Sequence, residues 1–67
     1  MRDTLRNLPP LNALRTFAVA GRLLNFRIAA EELNVSQGAV AQQIRLLEKF
    51  LGQTLFTRLP RGVALTS

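Results

Sequence analysis

Cysteine and histidine are both absent from the 67 residues of this chain. Their absence excludes disulfides, and it removes thiolate and imidazole, the usual ligands of zinc and other transition metals. We therefore expect a fold that is stabilised by packing alone, with no metal site and no cofactor.

Acidic residues are scarce as well: the carboxylates are those of Asp3, Glu31, Glu32 and Glu48. Glu31 and Glu32 are neighbours on a predicted helix, where side chains diverge by about 100° and cannot converge as an acid/base pair. The sequence also has no glycine-rich phosphate loop. It therefore predicts no enzymatic activity.

Nine arginines and lysines against four acids give a net charge of +5 and an isoelectric point of about 11.8. This balance favours a polyanionic partner, either nucleic acid or an acidic membrane surface. A membrane role is disfavoured because the basic residues are spread along the chain and no apolar run approaches the roughly 20 residues of a membrane span. The first residues lead into no signal-type segment, so we expect a cytoplasmic protein.

The length fits one small domain, and the apolar fraction of 48% predicts that it is folded. Residues 1–8 are polar and are expected to form a loose arm. Pro9 and Pro10 precede a predicted helix over residues 11–24, since proline is tolerated in the first turn. Its expected core stripe follows spacings of three and four: Leu11, Leu14, Phe17, Ala18 and Gly21.

A short second helix is predicted from Arg27 or Ile28 to Leu33, with Phe26 as a core anchor before it. The small residues Ala29 and Ala30 allow another helix to cross closely. Asn34 tolerates the left-handed backbone of a tight turn, and Val35 is expected to fill the space under that turn.

The third helix, residues 36–51, organises the rest of the chain. Ser36 is a suitable N-cap and Gly52 a suitable terminator. At about 100° per residue, Val40, Ile44, Leu47 and Leu51 form an apolar stripe towards the core. A second face carries small and polar residues that suit base edges in the major groove: Gln37, Gly38, Ala41, Gln42 and Arg45. Solvated helix positions would have the same composition.

Residues 26–45 therefore have the pattern of a helix-turn-helix motif, although a purely structural helical hairpin would show the same inward spacing. Residues 55–58 and 63–66 are short, rich in β-formers and separated by a turn containing Pro60 and Gly62, which predicts a β-hairpin wing over residues 55–66. Arg58 and Arg61 near its tip could reach phosphates or the minor groove. The alternative is a basic loop that only keeps the domain soluble.

Taken in order, several segments resemble the N-terminal winged helix-turn-helix domain of LysR-type bacterial transcriptional regulators. They are residues 26, 29–33, 35–40, 43–45, 47–48, 51–52, 55–56, 58, 61–63 and 65–66. The resemblance implies a mainly α fold, with three helices and a C-terminal wing over residues 1–67, and sequence-specific binding to double-stranded DNA. It also implies a homodimer, formed by a linker helix beyond these residues, and an effector domain that is absent from them.

By position, the resemblance assigns Ser36, Gln37, Gly38, Ala41 and Gln42 to the major groove. Arg58 and Arg61 are assigned to the backbone or minor groove. The family commonly has Ser-Arg where this chain has Ala41-Gln42, which favours contacts to adenine over guanine.

The family also favours threonine where Arg27 stands, so a capping hydroxyl is lost while Arg27 gains a possible phosphate contact. The alternative function is a winged-helix module that binds protein. The only feature of the sequence that favours it is Ile28, which is expected to face outward.

Overall fold

The computed structural model describes residues 10–66, so the predicted arm over residues 1–8 lies outside the described part. Three helices precede a two-stranded antiparallel hairpin, which we call the wing. The elements are α1 (Leu11–Leu23), α2 (Phe26–Leu33), α3 (Gln37–Leu51), β1 (Phe56–Arg58) and β2 (Val63–Leu65). The predicted winged helix-turn-helix fold is confirmed.

Side chains and backbone conformation at the helix ends explain where α2 and α3 begin and stop. Ser36 Oγ accepts a hydrogen bond from the Ala39 N–H at 3.0 Å, and Gly52 ends α3 with φ of 73°. Asn25 Oδ1 accepts from the Ile28 N–H at 2.9 Å, so α2 begins at Phe26, slightly earlier than predicted. The expected loss of a cap at Arg27 is therefore wrong, because Asn25 supplies one.

The core lies where the three helices meet the inner side of the wing. Its buried side chains are Ala20, Phe26, Ala29, Ala30, Val40, Ile44, Phe56 and Val63. Ala29 and Ala30 allow the close crossing that their size predicts. The rings of Phe17 and Phe26 lie 5.6 and 5.3 Å from that of Phe56, which connects the wing to the helices.

The predicted core stripe of α1 is wrong. Leu11 is 80% exposed and Leu14 is 39% exposed, whereas Ala13, Thr16 and Ala20 are buried. Both sets of residues recur at helical spacing, and the set with small side chains faces the core because it lets α2 and α3 approach closely. Phe17 alone of the predicted stripe packs against the core cluster.

Two further apolar residues lie outside the core against expectation. Val35 is 48% exposed instead of filling the turn, and Leu51 is 47% exposed at the last residue of α3. The rest of the α3 stripe, Val40, Ile44 and Leu47, is buried as predicted. No helix in the described part of the chain has the length and apolar character needed to span a bilayer.

Polar contacts fix the wing at its two ends. The Glu48 carboxylate accepts hydrogen bonds from the backbone N–H groups of Leu55 and Phe56, at 2.8 and 3.4 Å. At the tip, the Val63 N–H donates to the carbonyl of Leu24 at 3.0 Å. Gly62 fits beside this contact because a Cβ there would lie 2.4 Å from the Leu24 oxygen.

Candidate nucleic-acid interface

The outward face of α3 carries exposed polar and small residues between Gln37 and Arg45. Gln37, Gly38, Gln42 and Arg45 are exposed, while Ala41 is half-buried against the core cluster. A Cβ added at Gly38 would find Ser36 Oγ at 3.9 Å as its nearest neighbour, so the fold leaves open space there. Gln37, Gln42 and Arg45 thus form an exposed polar strip on α3, and Gly38 beside them has no side chain.

Arg58 of β1 is held against an aromatic ring although its side chain is exposed. Its guanidinium carbon lies 5.7 Å from the centre of the Phe26 ring. At this distance the face of the ring attracts the cation, by about 0.5–1 kcal/mol at exposed sites. The contact restrains a long side chain and so reduces the conformational entropy that binding would cost.

Two adjoining clefts, of about 290 and 220 Å³, separate α3 from the wing, and Phe26, Arg58 and Val63 line both of them. We call the pair the wing groove. Arg27 and Gln37 line one cleft, and Ala41 and Arg45 line the other. The structure therefore brings five of the predicted site residues to one groove: Arg27, Gln37, Ala41, Arg45 and Arg58.

The remaining site residues lie around this groove. Ser36 is exposed, but one of its acceptor positions is used by the cap. Gln42 and Gly38 face outward from α3, and Arg61 is exposed in the turn at the wing tip. Neither Gln42 nor Arg61 lines the wing groove.

The charges of residues 10–66 are distributed unevenly. Glu31 pairs with Arg27 at 3.0 Å, Glu32 pairs with Arg22, and Glu48 is engaged by backbone amides. Within this range no ion pair involves the other five cations, which are Arg15, Arg45, Lys49, Arg58 and Arg61. The cations outside ion pairs include the two of the wing and two of α3, so the candidate interface is positively charged.

Three residues that organise the interface were not predicted for that role. Phe26 was predicted to be in the core but not to support Arg58. Glu48 fixes the wing, and Leu24 accepts from it in a left-handed conformation with φ of 54°. Each of these contacts joins two different elements of the fold, and no sequence pattern within one element marks it.

Comparison with known proteins gives a family match. The family model for bacterial regulatory helix-turn-helix proteins of the lysR family matches residues 11–67. The match includes all three helices and the wing. It therefore covers every predicted site residue.

Two curated relatives are similar over most of the chain. The HTH-type transcriptional activator AmpR of Providencia stuartii is 58% identical over 98% of the chain and 23% of its own length. The carbapenem-hydrolyzing beta-lactamase transcriptional activator of Enterobacter cloacae is 61% identical over 85% of the chain and 19% of its own length. The chain thus spans about a fifth of these relatives.

A solved structure has the same architecture. The 1.60 Å crystal structure of a LysR-family transcriptional regulator from Eggerthella lenta superposes with a TM-score of 0.78 at 38% identity. The similarity covers 87% of this chain and 83% of that one. This chain is therefore similar to a LysR-family regulator in both sequence and fold.

Proposed function

The chain belongs to the lysR family of bacterial regulatory helix-turn-helix proteins, and from that premise we propose how this DNA-binding domain contacts its operator. In the proposal, α3 enters the major groove with its first half against the base edges. The wing reaches the phosphate backbone or the minor groove. The observation that carries it is the wing groove, where arginines of the wing and α3 lie beside the exposed polar strip of α3.

Gln37, Gln42 and Arg45 are the proposed reading residues. A glutamine amide can donate to N7 and accept from N6 of adenine in a bidentate contact, while arginine prefers guanine. Gly38 and Ala41 allow the helix to approach closely because neither has a long side chain. Ser36 is proposed to donate its hydroxyl hydrogen, which the cap leaves free because Oγ acts there only as an acceptor.

Arg58 and Arg61 are the proposed anchoring residues, with Arg27 in a smaller role. Arg58 is already restrained over Phe26, and Arg61 extends from the wing tip. The charge of Arg27 is partly compensated by Glu31, so we expect it to contribute less. Contacts to phosphate position the protein without reading sequence.

The experiment separates reading from anchoring. The DNA probes are a duplex selected by the unaltered chain from a random pool and a scrambled duplex of the same composition. We expect Gln42→Ala to lower affinity for the selected duplex and to leave the scrambled one nearly unchanged. Arg61→Ala should weaken both alike. Equal behaviour of the two variants on both probes would refute this division of roles.

Salt dependence tests the electrostatic part separately. Each phosphate contact should add about −0.9 to the slope of log affinity against log salt, because binding releases condensed counterions. Titrations between low and moderate salt measure this slope directly. An affinity independent of salt would contradict the proposal.

For the whole protein we propose a homodimer that binds paired half-sites, with effector control through a separate domain. The support for a further domain is that the chain spans about a fifth of the length of relatives named as transcriptional activators, and the homodimer is what the resemblance to LysR-type regulators implies. We also propose a cytoplasmic location, because a bacterial transcriptional regulator acts on chromosomal DNA. Sedimentation of the 67-residue chain with and without a palindromic duplex measures what this domain contributes to dimerisation.

A further inference from the structure

We propose that Arg15 of α1 is a second phosphate anchor, on the side of α3 opposite the wing. This inference rests on the proposed function, since it assumes that α3 lies in the major groove. Arg15 is not among the site residues predicted from the sequence.

The first observation is a groove of about 220 Å³ between α1 and α3, which we call the α1 groove. Asn12, Arg15 and Thr16 line it from α1, and Ala39 and Gln43 line it from α3. Ala39 is in the first turn of α3, the part proposed to enter the DNA. The Arg15 side chain therefore lies next to α3, the helix that is proposed to enter the major groove.

The second observation is where this groove lies around α3. Ala39 and Gln43 are about 40° apart on the helix, as are Ala41 and Arg45 of the wing groove. The two pairs point about 160° apart, and Gln42 lies between them on the outward side. The proposed reading face is thus bordered by the wing groove on one side and by the α1 groove on the other.

In B-DNA, both the wing groove and the α1 groove would face a phosphate strand. A helix in the major groove, which is about 12 Å wide, has one phosphate strand on each side. The wing arginines serve one strand in the proposed function. Arg15 lies on the other side, where its guanidinium can donate two hydrogen bonds to a phosphodiester, with the Asn12 amide as an additional donor beside it.

The third observation is that Arg15 is exposed and forms no ion pair with any residue of 10–66. Arg22, seven residues later on α1, is also exposed but pairs with Glu32. Substituting either arginine by alanine removes the same formal charge from the same helix. Arg22 is therefore a matched control for Arg15.

The experiment compares Arg15→Ala, Arg22→Ala and the unaltered chain on the selected and scrambled duplexes over a range of salt. We expect Arg15→Ala to reduce the salt slope by about 0.9, which corresponds to an affinity about eightfold lower at 0.1 M salt. The loss should be the same on both duplexes, and Arg15→Lys should restore most of it. Circular dichroism checks that every variant keeps its helices.

Several results would overturn the inference. A slope change for Arg22→Ala as large as that for Arg15→Ala would mean that net charge alone matters. A loss confined to the selected duplex would make Arg15 a reading residue instead of an anchor. If the unaltered chain and Arg61→Ala behave as proposed while Arg15→Ala has no effect, the second anchor fails and the proposed function stands. If the unaltered chain shows no salt-dependent duplex binding, the proposed function itself fails.

Discussion

The three helices enclose apolar side chains, whereas the wing contacts them at few points. Leu47 and Val40 are fully buried in α3, and the caps of α2 and α3 are side chains next to those helices in sequence. The wing buries Phe56 and Val63, and its further contacts with the helices include the Glu48 carboxylate, the Leu24 carbonyl and the Phe26 ring under Arg58. Leu47 and the helix caps thus stabilise the helices, whereas Glu48 and Leu24 position the wing, and these two sets of contacts can be changed separately.

The largest effect should follow from Leu47→Ala in the helical core. Leu47 is 1% exposed, and removing a buried leucine side chain costs about 2–5 kcal/mol, depending on how far the cavity closes. In so small a domain that is a large part of the free energy of unfolding. Thermal and urea unfolding followed by circular dichroism measure it. A cost below about 1 kcal/mol would mean that the core is less tightly packed than the structure indicates.

Gly62→Ala should displace the wing while the helices stay folded. The new Cβ would lie 2.4 Å from the Leu24 oxygen, and the residue would also have to adopt a φ of 75°. We expect lower affinity for both duplexes with little loss of helical content. Amide shifts in NMR spectra, concentrated at Leu24 and Val63, would report the movement.

Gly52→Ala is the control for this change. Gly52 also has a positive φ, of 73°, but nothing lies within 4 Å of a Cβ there. Both variants therefore bear the backbone cost of about 1–2 kcal/mol, and only Gly62→Ala adds the clash. Equal effects of the two substitutions on DNA affinity would contradict a wing that is fixed at Leu24.

Glu48→Ala should have a smaller effect, confined to the base of the wing. Loss of a hydrogen bond to a charged group costs about 1.5–3 kcal/mol when both partners are buried, and less here because the site is only partly buried. Hydrogen exchange at the amides of Leu55 and Phe56 should accelerate more than exchange in α3. Glu48→Gln retains an acceptor oxygen and should give an intermediate result; unchanged exchange in Glu48→Ala would show that the carboxylate does not hold the wing.

The sequence predicted the helix-turn-helix well because its signals are local. Ser36 and Gly52 mark the ends of α3 by their own chemistry, and the valine, isoleucine and leucine spacing marks its buried side. The inner side of α1 could not be predicted in the same way. Leu11 and Leu14 recur at the same spacing as Ala13 and Thr16, so only the close packing of the helices decides between them.

The same limit applies to the interface. The polar strip on α3 follows from one helix, and the sequence predicted it. The contact of Arg58 with Phe26 joins residues 32 positions apart, and the α1 groove joins Arg15 to Gln43. Such contacts depend on how the elements pack and leave no pattern within any one of them.

Gly38 has a consequence for how the helix and its ligand fit together. It has an ordinary negative φ, and a methyl group at this position would touch nothing closer than 3.9 Å, so the fold has no need of glycine there. Alanine favours a helix over glycine, by about 1 kcal/mol in a helix interior and by less in the first turn, where Gly38 lies. The domain gives up that stability at a position where its own atoms leave room. This fits the proposed close approach of DNA to the first turn of α3.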